Sequence, residues 1–209
     1  ELSECLGDMV ALFITGRDGT AASIAWTLIM LALHPRWQLE IRSRPSALSA
    51  VIHESLRILP PSFVLNPRIA AEDTELGGVR LPRGSMALGS IIYRHRDDGV
   101  WGKDAREFRP ERWLSGSKPS PMDFLPFGQG PRRCIGDQLA MKQLEITVRS
   151  VVERFDIAPS DRADFDYAVD AVLLRPKGCE LVLAPAGSLS RERSGKASGR
   201  LLRDLIDPC

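Results

Sequence analysis

The stretch Phe127-Gly128-Gln129-Gly130-Pro131-Arg132-Arg133-Cys134-Ile135-Gly136 decides the fold of this 209-residue chain. It places one cysteine behind a glycine-rich turn and two arginines, directly before a segment, 137–146, whose apolar residues recur at helical spacing. The start of a helix offers unpaired backbone N–H groups and the positive end of the helix dipole, and both favour a thiolate. The stretch therefore predicts that Cys134 is a thiolate that binds a metal.

The pattern Phe-x-x-Gly-x-Arg-x-Cys-x-Gly resembles the haem-thiolate loop of the cytochrome P450 family, and every specified position is filled. A match at several fixed positions is a stronger signal than a lone cysteine, whose alternative role is that of a small buried apolar residue. The resemblance implies haem b as cofactor, with Cys134 as its axial thiolate ligand. It also implies that Phe127, Arg132 and Gly136 bind the haem, with Arg132 pairing with a propionate.

A second part of the chain carries a predicted charge cluster. Glu54 and Arg57 are three residues apart in an amphipathic segment, so they share a helix face and can pair. Alone this is weak evidence, because exposed pairs of this kind contribute little. The segment Phe108-Arg109-Pro110-Glu111-Arg112-Trp113 resembles the Pro-Glu-Arg element of the same family. The resemblance implies that Glu54, Arg57 and Arg112 form a structural cluster behind the cysteine loop.

The first part of the chain, from Glu4 to Leu33, predicts one long and largely buried helix, because its apolar residues recur at helical intervals. Inside it lies Thr15-Gly16-Arg17-Asp18-Gly19-Thr20, although each glycine in a helix interior costs about 1 kcal/mol relative to alanine. A plain helix kink is the alternative explanation. The patch resembles the family's distal helix, where a Gly-x-Asp-Thr segment bends over the haem. The resemblance implies that Thr15, Asp18 and Thr20 are catalytic.

The distal patch also departs from the family pattern. Alignment of Gly16-Arg17-Asp18 with Gly-x-Asp places Gly19 where the family usually has the threonine that delivers protons. Thr20 comes one residue later, about 100° further around the helix. Its hydroxyl is therefore expected to point away from the pocket, and Thr15 is the other hydroxyl that could serve.

The resemblance assigns two further residues. Arg68 corresponds to a second propionate ligand, on the first strand after the third helix. His95, in Tyr93-Arg94-His95-Arg96-Asp97, resembles a family His-Arg-Asp element and is expected to be structural, with a propionate contact as the alternative. The apolar segment 62–65 and the tip Ala171-Val172 are expected to line a pocket for a hydrophobic substrate.

Local patterns predict the remaining elements. Helices are expected at 35–44 and 47–59 and from the cysteine loop to about 155, with short strands at 64–70, 74–81 and 86–93 that pair with a C-terminal pair near 171–174 and 180–183. These elements predict a mainly α fold with small β-sheets (α+β). The resemblance implies a P450-like fold over residues 1–185, from the distal helix to the C-terminal hairpin, which is the C-terminal half of the family's usual chain. Residues 186–209 are expected to form a disordered tail rich in Ser and Arg.

Composition limits the possible classes. The chain is 44% hydrophobic and 26% charged with a net charge of +1, so it is neither disordered by composition nor basic enough to suggest a nucleic-acid partner. Its four cysteines, Cys5, Cys134, Cys179 and Cys209, lack paired spacing. They predict a reducing compartment, and we expect a cytoplasmic protein. The N-terminus has neither an initiator Met nor a signal peptide, which suggests a piece of a longer chain.

Taken together, the resemblance implies a monooxygenase that inserts one oxygen atom of O2 into a small hydrophobic organic substrate. Electrons are expected from a ferredoxin or flavoprotein reductase. The basic residues Arg133, Lys142 and Arg149 could dock an acidic donor, and ordinary solvated surface charge is the alternative explanation for them. Two alternatives remain open at this point. One is a non-catalytic relic that only binds haem, and the other is a haem-thiolate enzyme that uses peroxide.

Overall fold

Helices dominate the described part of the chain, which in this computed structural model comprises residues 2–116, 119–188 and 199–201. The helices are α1 (Leu2–Leu33), α2 (Arg36–Ser43), α3 (Ser46–Ile58), α4 (Ile91–Arg94), α5 (Asp98–Trp101) and α6 (Asp137–Arg154), with 3-10 turns at Pro110–Trp113 and Gly130–Arg132. The strands are β1 (Arg68–Ile69), β2 (Thr74–Leu76), β3 (Val79–Leu81), β4 (Met86–Ala87), β5 (Phe155–Pro159), β6 (Asp166–Asp170), β7 (Leu173–Lys177) and β8 (Leu181–Pro185). The mainly α architecture with small sheets agrees with the predicted α+β class.

The core lies where the second half of α1 meets α3, α6 and β5. Trp26 and Met30 of α1 are fully buried, as are Val51 and Ile52 of α3 and Val148 of α6. Each large apolar side chain removed from water contributes roughly 1.5–3 kcal/mol. The predicted second, third and last helices are confirmed to within about two residues, because each carries a strong helical pattern of apolar positions.

A buried glutamine joins the N-terminal and C-terminal parts of this core. Gln38 of α2 is 3% exposed, and its amide nitrogen donates to the carbonyls of Leu31 and Ile157, both at 2.8 Å. Its amide oxygen accepts the Ile157 N–H at 2.8 Å. The side chain therefore supplies hydrogen bonds to the end of α1 and to β5 that water cannot reach.

The sheets pair differently from the prediction. Each is a two-stranded antiparallel pair: β1 with β4, β2 with β3, β5 with β8 and β6 with β7. The sequence pattern missed β5 and β6, so it assigned the C-terminal strands to the wrong partner. Among the described residues, an isolated bridge between Ser62 and Leu173 and the adjoining hydrogen bond from Leu174 to Pro61 link the segment before β1 to the C-terminal hairpin. Strand pairing is set by long-range packing, which local alternation does not encode.

The predicted strand at 86–93 is also wrong beyond Ala87. Ser90 caps a helical turn instead, and its hydroxyl accepts the Tyr93 N–H at 3.3 Å. Serine is a favoured N-cap because its oxygen satisfies an otherwise unpaired N–H of the first turn. This turn brings His95 to the end of α4, where its side chain is fully buried.

Helix α1 forms as predicted, but its first half is not buried. Residues 3–17 are exposed, including Met9 at 66% and Phe13 at 76%. Burial begins at Ala22. No element of the described residues covers the first four turns, although a helix that is apolar on all sides is typical of an interior position. None of the described helices combines the length and apolarity needed to cross a membrane.

A few residues of the region predicted to be a disordered tail make contacts with the rest of the fold. Ala186 donates its N–H to Arg154, and Gly187 to Asp156, both at 2.9 Å. Further on, Leu201 is fully buried and donates its N–H to the Phe165 carbonyl at 2.9 Å. The rest of the predicted tail, 189–198 and 202–209, lies outside the described residues.

Replacement of Gln38 by Ala is expected to lower the free energy of unfolding by about 2–4 kcal/mol, because three buried backbone groups lose their partner. Chemical denaturation measures this loss. Gln143→Ala is the matched control, since Gln143 is exposed on α6 and its replacement should change stability by less than about 0.5 kcal/mol. Equal effects of the two substitutions would contradict the assigned role of Gln38.

Candidate haem-binding and distal sites

The predicted Glu54–Arg57 pair is present and completely buried. Both residues are 0% exposed, and the guanidinium meets the carboxylate bidentately, with Nε to Oε2 at 2.9 Å and Nη2 to Oε1 at 2.8 Å. Arg57 also donates to the carbonyls of His95 at 2.7 Å, Ala105 at 2.5 Å and Glu107 at 3.0 Å. Each charge is therefore compensated inside the protein, and removal of either partner would leave the other buried and unpaired.

The Glu54 carboxylate also anchors the segment that contains Arg112. It accepts the Arg109 N–H at 2.8 Å, the Trp113 indole N–H at 2.8 Å and the Arg112 Nε–H at 3.3 Å. Arg112 pairs in addition with Asp104 at 2.9 Å. The three-residue cluster expected from the resemblance is thus assembled, and its contacts are structural.

His95 connects this cluster to the cysteine loop. Its Nε2 accepts the Leu125 N–H at 2.8 Å, and its Nδ1 lies 3.1 Å from the Arg57 carbonyl. A backbone N–H can only donate and a carbonyl can only accept, so the ring is neutral with its hydrogen on Nδ1. Burial, followed by the nearby guanidinium charges, lowers the pKa of His95 to about 3. These contacts support the structural role predicted for His95.

The cysteine loop folds back so that Cys134 lies beside the start of α6. The Cys134 N–H donates to the Phe127 carbonyl at 2.9 Å, and Gly128 has a left-handed φ of 68° that favours glycine. Gly136 is the N-cap of α6, and a Cβ added there would lie 3.9 Å from Cys134 Sγ. The thiol is exposed and forms no disulfide. Its predicted position at a helix start is therefore what the structure shows.

The arginines with expected roles in haem binding or partner docking differ in whether they have a carboxylate partner. Arg132 is exposed in the 3-10 turn and pairs with no carboxylate among the described residues. Arg68 is exposed on β1, and its contacts with the carbonyls of Asn66 and Pro67 are long, at 3.5 Å. Arg133, by contrast, pairs with Asp137 at 2.6 Å. The two arginines predicted to bind propionates are therefore those left open for an anion.

The predicted distal residues all lie on α1, and each of their side chains has a different environment. The Thr15 hydroxyl donates to the Ala11 carbonyl of its own helix at 2.7 Å. Asp18 pairs with Arg17 at 3.0 Å and with Arg175 of β7 at 3.1 Å. Thr20 is half-buried one residue beyond Gly19, where an added Cβ would meet no heavy atom within 4 Å.

The segment 61–65 links the distal region to the cysteine loop. The Pro61 carbonyl accepts the Leu174 N–H at 2.7 Å, and the Leu174 carbonyl accepts the Trp26 indole N–H at 3.0 Å. At the other end, Leu65 Cδ2 lies 3.8 Å from where a Cβ on Gly128 would stand. Within the described residues, no hydrogen bond or ion pair joins Thr15, Asp18 or Thr20 directly to the loop.

A cavity of about 910 Å³ lies on the flank of the cysteine loop and does not include Cys134 or the distal patch. His53, Trp113 and Phe124 contact one another and form an aromatic part of its wall, and Arg133 and Met141 also line it. Large pockets are the usual first choice for an active site. Here Phe127 is the only predicted site residue in the lining, and Cys134, Arg132, Arg68, Gly136 and the distal patch lie outside it, so we do not assign this cavity as the substrate pocket.

The sequence profile described as "Cytochrome P450" matches residues 46–183. It begins at α3, so the identity of α1 as the distal helix depends on the order of the elements and on the resemblance of its patch. Together with the cysteine loop and the buried charge cluster, the match shows that this chain belongs to the cytochrome P450 family.

Several curated plant proteins are similar to the chain. A cytokinin hydroxylase from Arabidopsis thaliana is 37% identical over 193 residues, covering 83% of this chain and 37% of its own length. Cytochrome P450 734A1 from the same species is 35% identical over 166 residues, covering 69% and 32%. An 11-oxo-beta-amyrin 30-oxidase from Glycyrrhiza uralensis is 31% identical over 202 residues, covering 86% and 38%. The chain therefore spans little more than a third of the length of these relatives.

One contact of the predicted distal patch was not foreseen from the sequence. Arg175 bridges Asp18 of α1 and Asp170 of β6, at 3.1 and 3.2 Å. The positions are far apart in the sequence, and an arginine in a strand of alternating polarity gives no local sign of its partner. The contact attaches the C-terminal hairpin, β6 and β7, to α1.

Arg57→Leu is expected to lower the free energy of unfolding by about 3–5 kcal/mol, because it leaves the Glu54 carboxylate buried without its bidentate partner. Denaturant titration and soluble yield measure the loss. Arg109→Leu is the control: the Arg109 side chain is 46% exposed and pairs with Asp104 at the surface, so about 1 kcal/mol or less is expected. A soluble Arg57→Leu variant of normal stability would show that the cluster is dispensable.

The free energy of unfolding is expected to decrease as the pH is lowered, because His95 is neutral in the folded protein. Its folded pKa of about 3 lies below its ordinary 6.5, so the unfolded chain binds a proton first as pH decreases. Stability is therefore complete above about pH 6.5 and is lost between 6.5 and 3, by at most about 1.4 kcal/mol per pH unit. His95→Gln, which retains an acceptor for Leu125, should show a shallower slope. The pKa of His34 is lowered to about 4, mainly by burial, and this contribution is the same in the native protein and in His95→Gln.

If the free energy of unfolding changed with pH at the same rate in the native protein and in His95→Gln, the neutral buried state of His95 would be contradicted.

Proposed function

We propose that this chain is the cysteine-bearing part of a haem-thiolate monooxygenase. The protein would insert one oxygen atom of O2 into a small hydrophobic organic molecule, with electrons from a separate redox protein. The observation that carries the proposal is the Cys134 thiol, which is exposed, free and held at the start of α6 by a loop that fills the complete family motif.

The residues near Cys134 fit a haem by their chemistry. Haem needs one soft axial ligand for iron and cationic partners for two propionates. Cys134 supplies the thiol, and Arg132 and Arg68 are exposed guanidinium groups that pair with no carboxylate among the described residues. When bound, haem supplies the oxygen chemistry, and a thiolate ligand favours cleavage of the O–O bond. The protein's part is to hold the thiolate and orient the propionates.

A hydrophobic substrate is supported by the character of the segment 62–65 and the hairpin tip. Phe63, Val64 and Leu65 are half-buried on the segment that connects the hairpin to the cysteine loop. The relatives include a hydroxylase and an oxidase by name. We extend this chemistry to the present chain as oxidation of an unactivated carbon, in a pocket that excludes water.

The redox partner is proposed to be a ferredoxin or a flavoprotein reductase. The expected basic docking surface is weaker than the sequence suggests, because two of its three cations have acidic partners of their own. Arg133 pairs with Asp137 and Lys142 with Glu145, at 2.6 and 2.9 Å. An acidic donor would have to compete with these local pairs, so charge steering from this face alone is small.

Proton delivery separates this chain from the family pattern and favours a second candidate function. The Thr15 hydroxyl already donates to its own helix, and Gly19 offers no side chain where the family has threonine. Asp18 is the remaining acid, although Arg17 and Arg175 hold its carboxylate. An enzyme that uses peroxide in place of O2 and electrons would depend less on proton delivery by these residues. The missing hydroxyl therefore makes peroxide use the alternative activity.

Cys134→Ala is expected to abolish the carbon monoxide difference spectrum typical of a thiolate-ligated reduced haem. Cys5→Ala and Cys179→Ala are matched controls, because these residues are also free thiols and lie outside the loop. Their spectra should remain normal at equal haem content. If a control variant lost the thiolate spectrum while Cys134→Ala retained it, Cys134 would not be the haem ligand.

Gly19→Thr is expected to raise the fraction of reducing equivalents recovered in product relative to peroxide. The site has room, since a Cβ meets no heavy atom within 4 Å, and replacing a helical glycine changes stability by up to about 1 kcal/mol. Gly19→Val adds similar bulk without a hydroxyl, so it should give no gain at equal haem content. A native protein that couples well and loses coupling in Gly19→Thr would show another proton route. If the native protein and Gly19→Thr both turn over with peroxide, and neither turns over with any electron donor, the peroxide-using alternative would be favoured.

A further inference from the structure

The tripeptide Gly199-Arg200-Leu201 lies against the first strand of the C-terminal hairpin, beyond the last residue, 183, of the family match. Leu201 is fully buried and belongs to the main hydrophobic core. Its N–H donates to the Phe165 carbonyl at 2.9 Å. The contact therefore combines an apolar anchor with a backbone hydrogen bond, and it joins residues far apart in the chain.

Gly199 is required by the closeness of this contact. Its φ is 126°, and an added Cβ would lie 2.2 Å from the Phe165 oxygen and 2.6 Å from the Phe165 nitrogen. Those atoms belong to the backbone and cannot rotate away, so no other residue fits without moving the strand. The glycine thus allows the tail to lie directly on the residue before β6.

Arg200 adds polar contacts to the next two residues. Its Nε donates to Asp166 Oδ1 at 2.8 Å, its Nη2 donates to the Tyr167 carbonyl at 2.8 Å, and its guanidinium lies 4.4 Å from the Tyr167 ring centroid. The Tyr167 N–H and Arg200 lower the pKa of Asp166, so the carboxylate stays ionised at neutral pH. Three consecutive residues of the tail therefore contact Phe165 and the first two residues of β6.

The hairpin has reasons to need outside support. It is an isolated two-stranded sheet, which is at best marginally stable alone. Its turn places Ala171 at φ 53°, where glycine or asparagine is usual, so the turn itself is strained. On one side, Arg175 and Leu174 attach β7 to α1.

We propose that Gly199-Arg200-Leu201 is a clasp that holds β6 and thereby positions the hairpin tip at Ala171-Val172. The tail of this chain is then a positioning element for the part of the fold that faces the distal helix. The clasp does not depend on the proposed function, and its test requires no haem.

Cys179 provides a reporter for the clasp. Its thiol is half-buried and donates to the carbonyls of Asp166 at 3.5 Å and Lys177 at 3.3 Å, and burial raises its pKa. Release of β6 should break these contacts and expose the sulfur. Cys5 is exposed on α1, away from the hairpin, and serves as an internal reference within each sample.

The experiment measures the alkylation rate of Cys179 relative to Cys5 by peptide mass spectrometry on the 209-residue chain. Gly199→Ala and Leu201→Ala should each raise this ratio on the order of tenfold, because local opening becomes more frequent. Gly187→Ala is the matched control: it is also a tail glycine of positive φ, at 83°, but no heavy atom lies within 4 Å of an added Cβ. Its ratio should equal that of the native chain.

An unchanged Cys179 ratio in both clasp variants would overturn the proposal, as would an equal rise in Gly187→Ala. If Leu201→Ala also loses far-UV circular dichroism, Arg200→Gln decides instead, because it removes surface contacts without opening the core. A several-fold rise of the ratio in Arg200→Gln, with native circular dichroism, supports the clasp, and no rise overturns it.

Discussion

The carboxylate of Glu54 is the constraint on which the cysteine side of the structure depends. It lies fully out of water and receives donors from Arg57, from the Arg109 backbone, from Arg112 and from the Trp113 indole. A buried carboxylate must be matched in this way or it costs several kcal/mol. The requirement fixes where α3 and the 3-10 turn at Pro110–Trp113 stand relative to each other.

The same requirement extends from the ion pair to the cysteine loop through one neutral imidazole. Arg57 holds the His95 carbonyl, and the His95 ring accepts the N–H of Leu125, two residues before Phe127. The Phe127 carbonyl then accepts the Cys134 N–H. In each of these hydrogen bonds an N–H group donates to a carbonyl oxygen or to the unprotonated Nε2 of His95. The loop is therefore organised before any ligand binds, and less conformational entropy remains to be lost on binding.

The sequence predicted those parts of the fold whose determinants are local. Helices α2, α3 and α6 follow from apolar spacing, and the Glu54–Arg57 pair follows from two residues on one helix face. The missed features depend on partners distant in the chain: strands β5 and β6, the Gln38 bridge to Ile157, and the Arg175 contact with Asp18. The prediction of a strand at 86–93 was wrong beyond Ala87 because Ser90 caps a helical turn. Serine is a local signal for a helix start, but the alternating apolar residues around it indicated a strand.

Of the candidate site, the cysteine loop was the most predictable part because its motif is contiguous. The roles expected of Cys134 and Arg132 follow from the resemblance of this motif to the family's loop, whereas the exposure of the first half of α1 could not be inferred from its sequence. The apolar pattern of α1 indicates an interior helix, but exposure depends on which elements cover it, and the described residues cover only the second half. Occupation of the Asp18 carboxylate by two arginines was likewise invisible, since one of them lies 157 residues away.

Hydrogen exchange at the Leu125 and Cys134 amides of the ligand-free chain tests most directly whether the buried cluster holds the cysteine loop. Both N–H groups have acceptors in the structure, His95 Nε2 and the Phe127 carbonyl. They are expected to exchange within about tenfold of the slowest amides of α3, because loop and cluster open together. Rapid exchange at Leu125 and Cys134, with α3 still protected, would show that the loop is not held by the cluster.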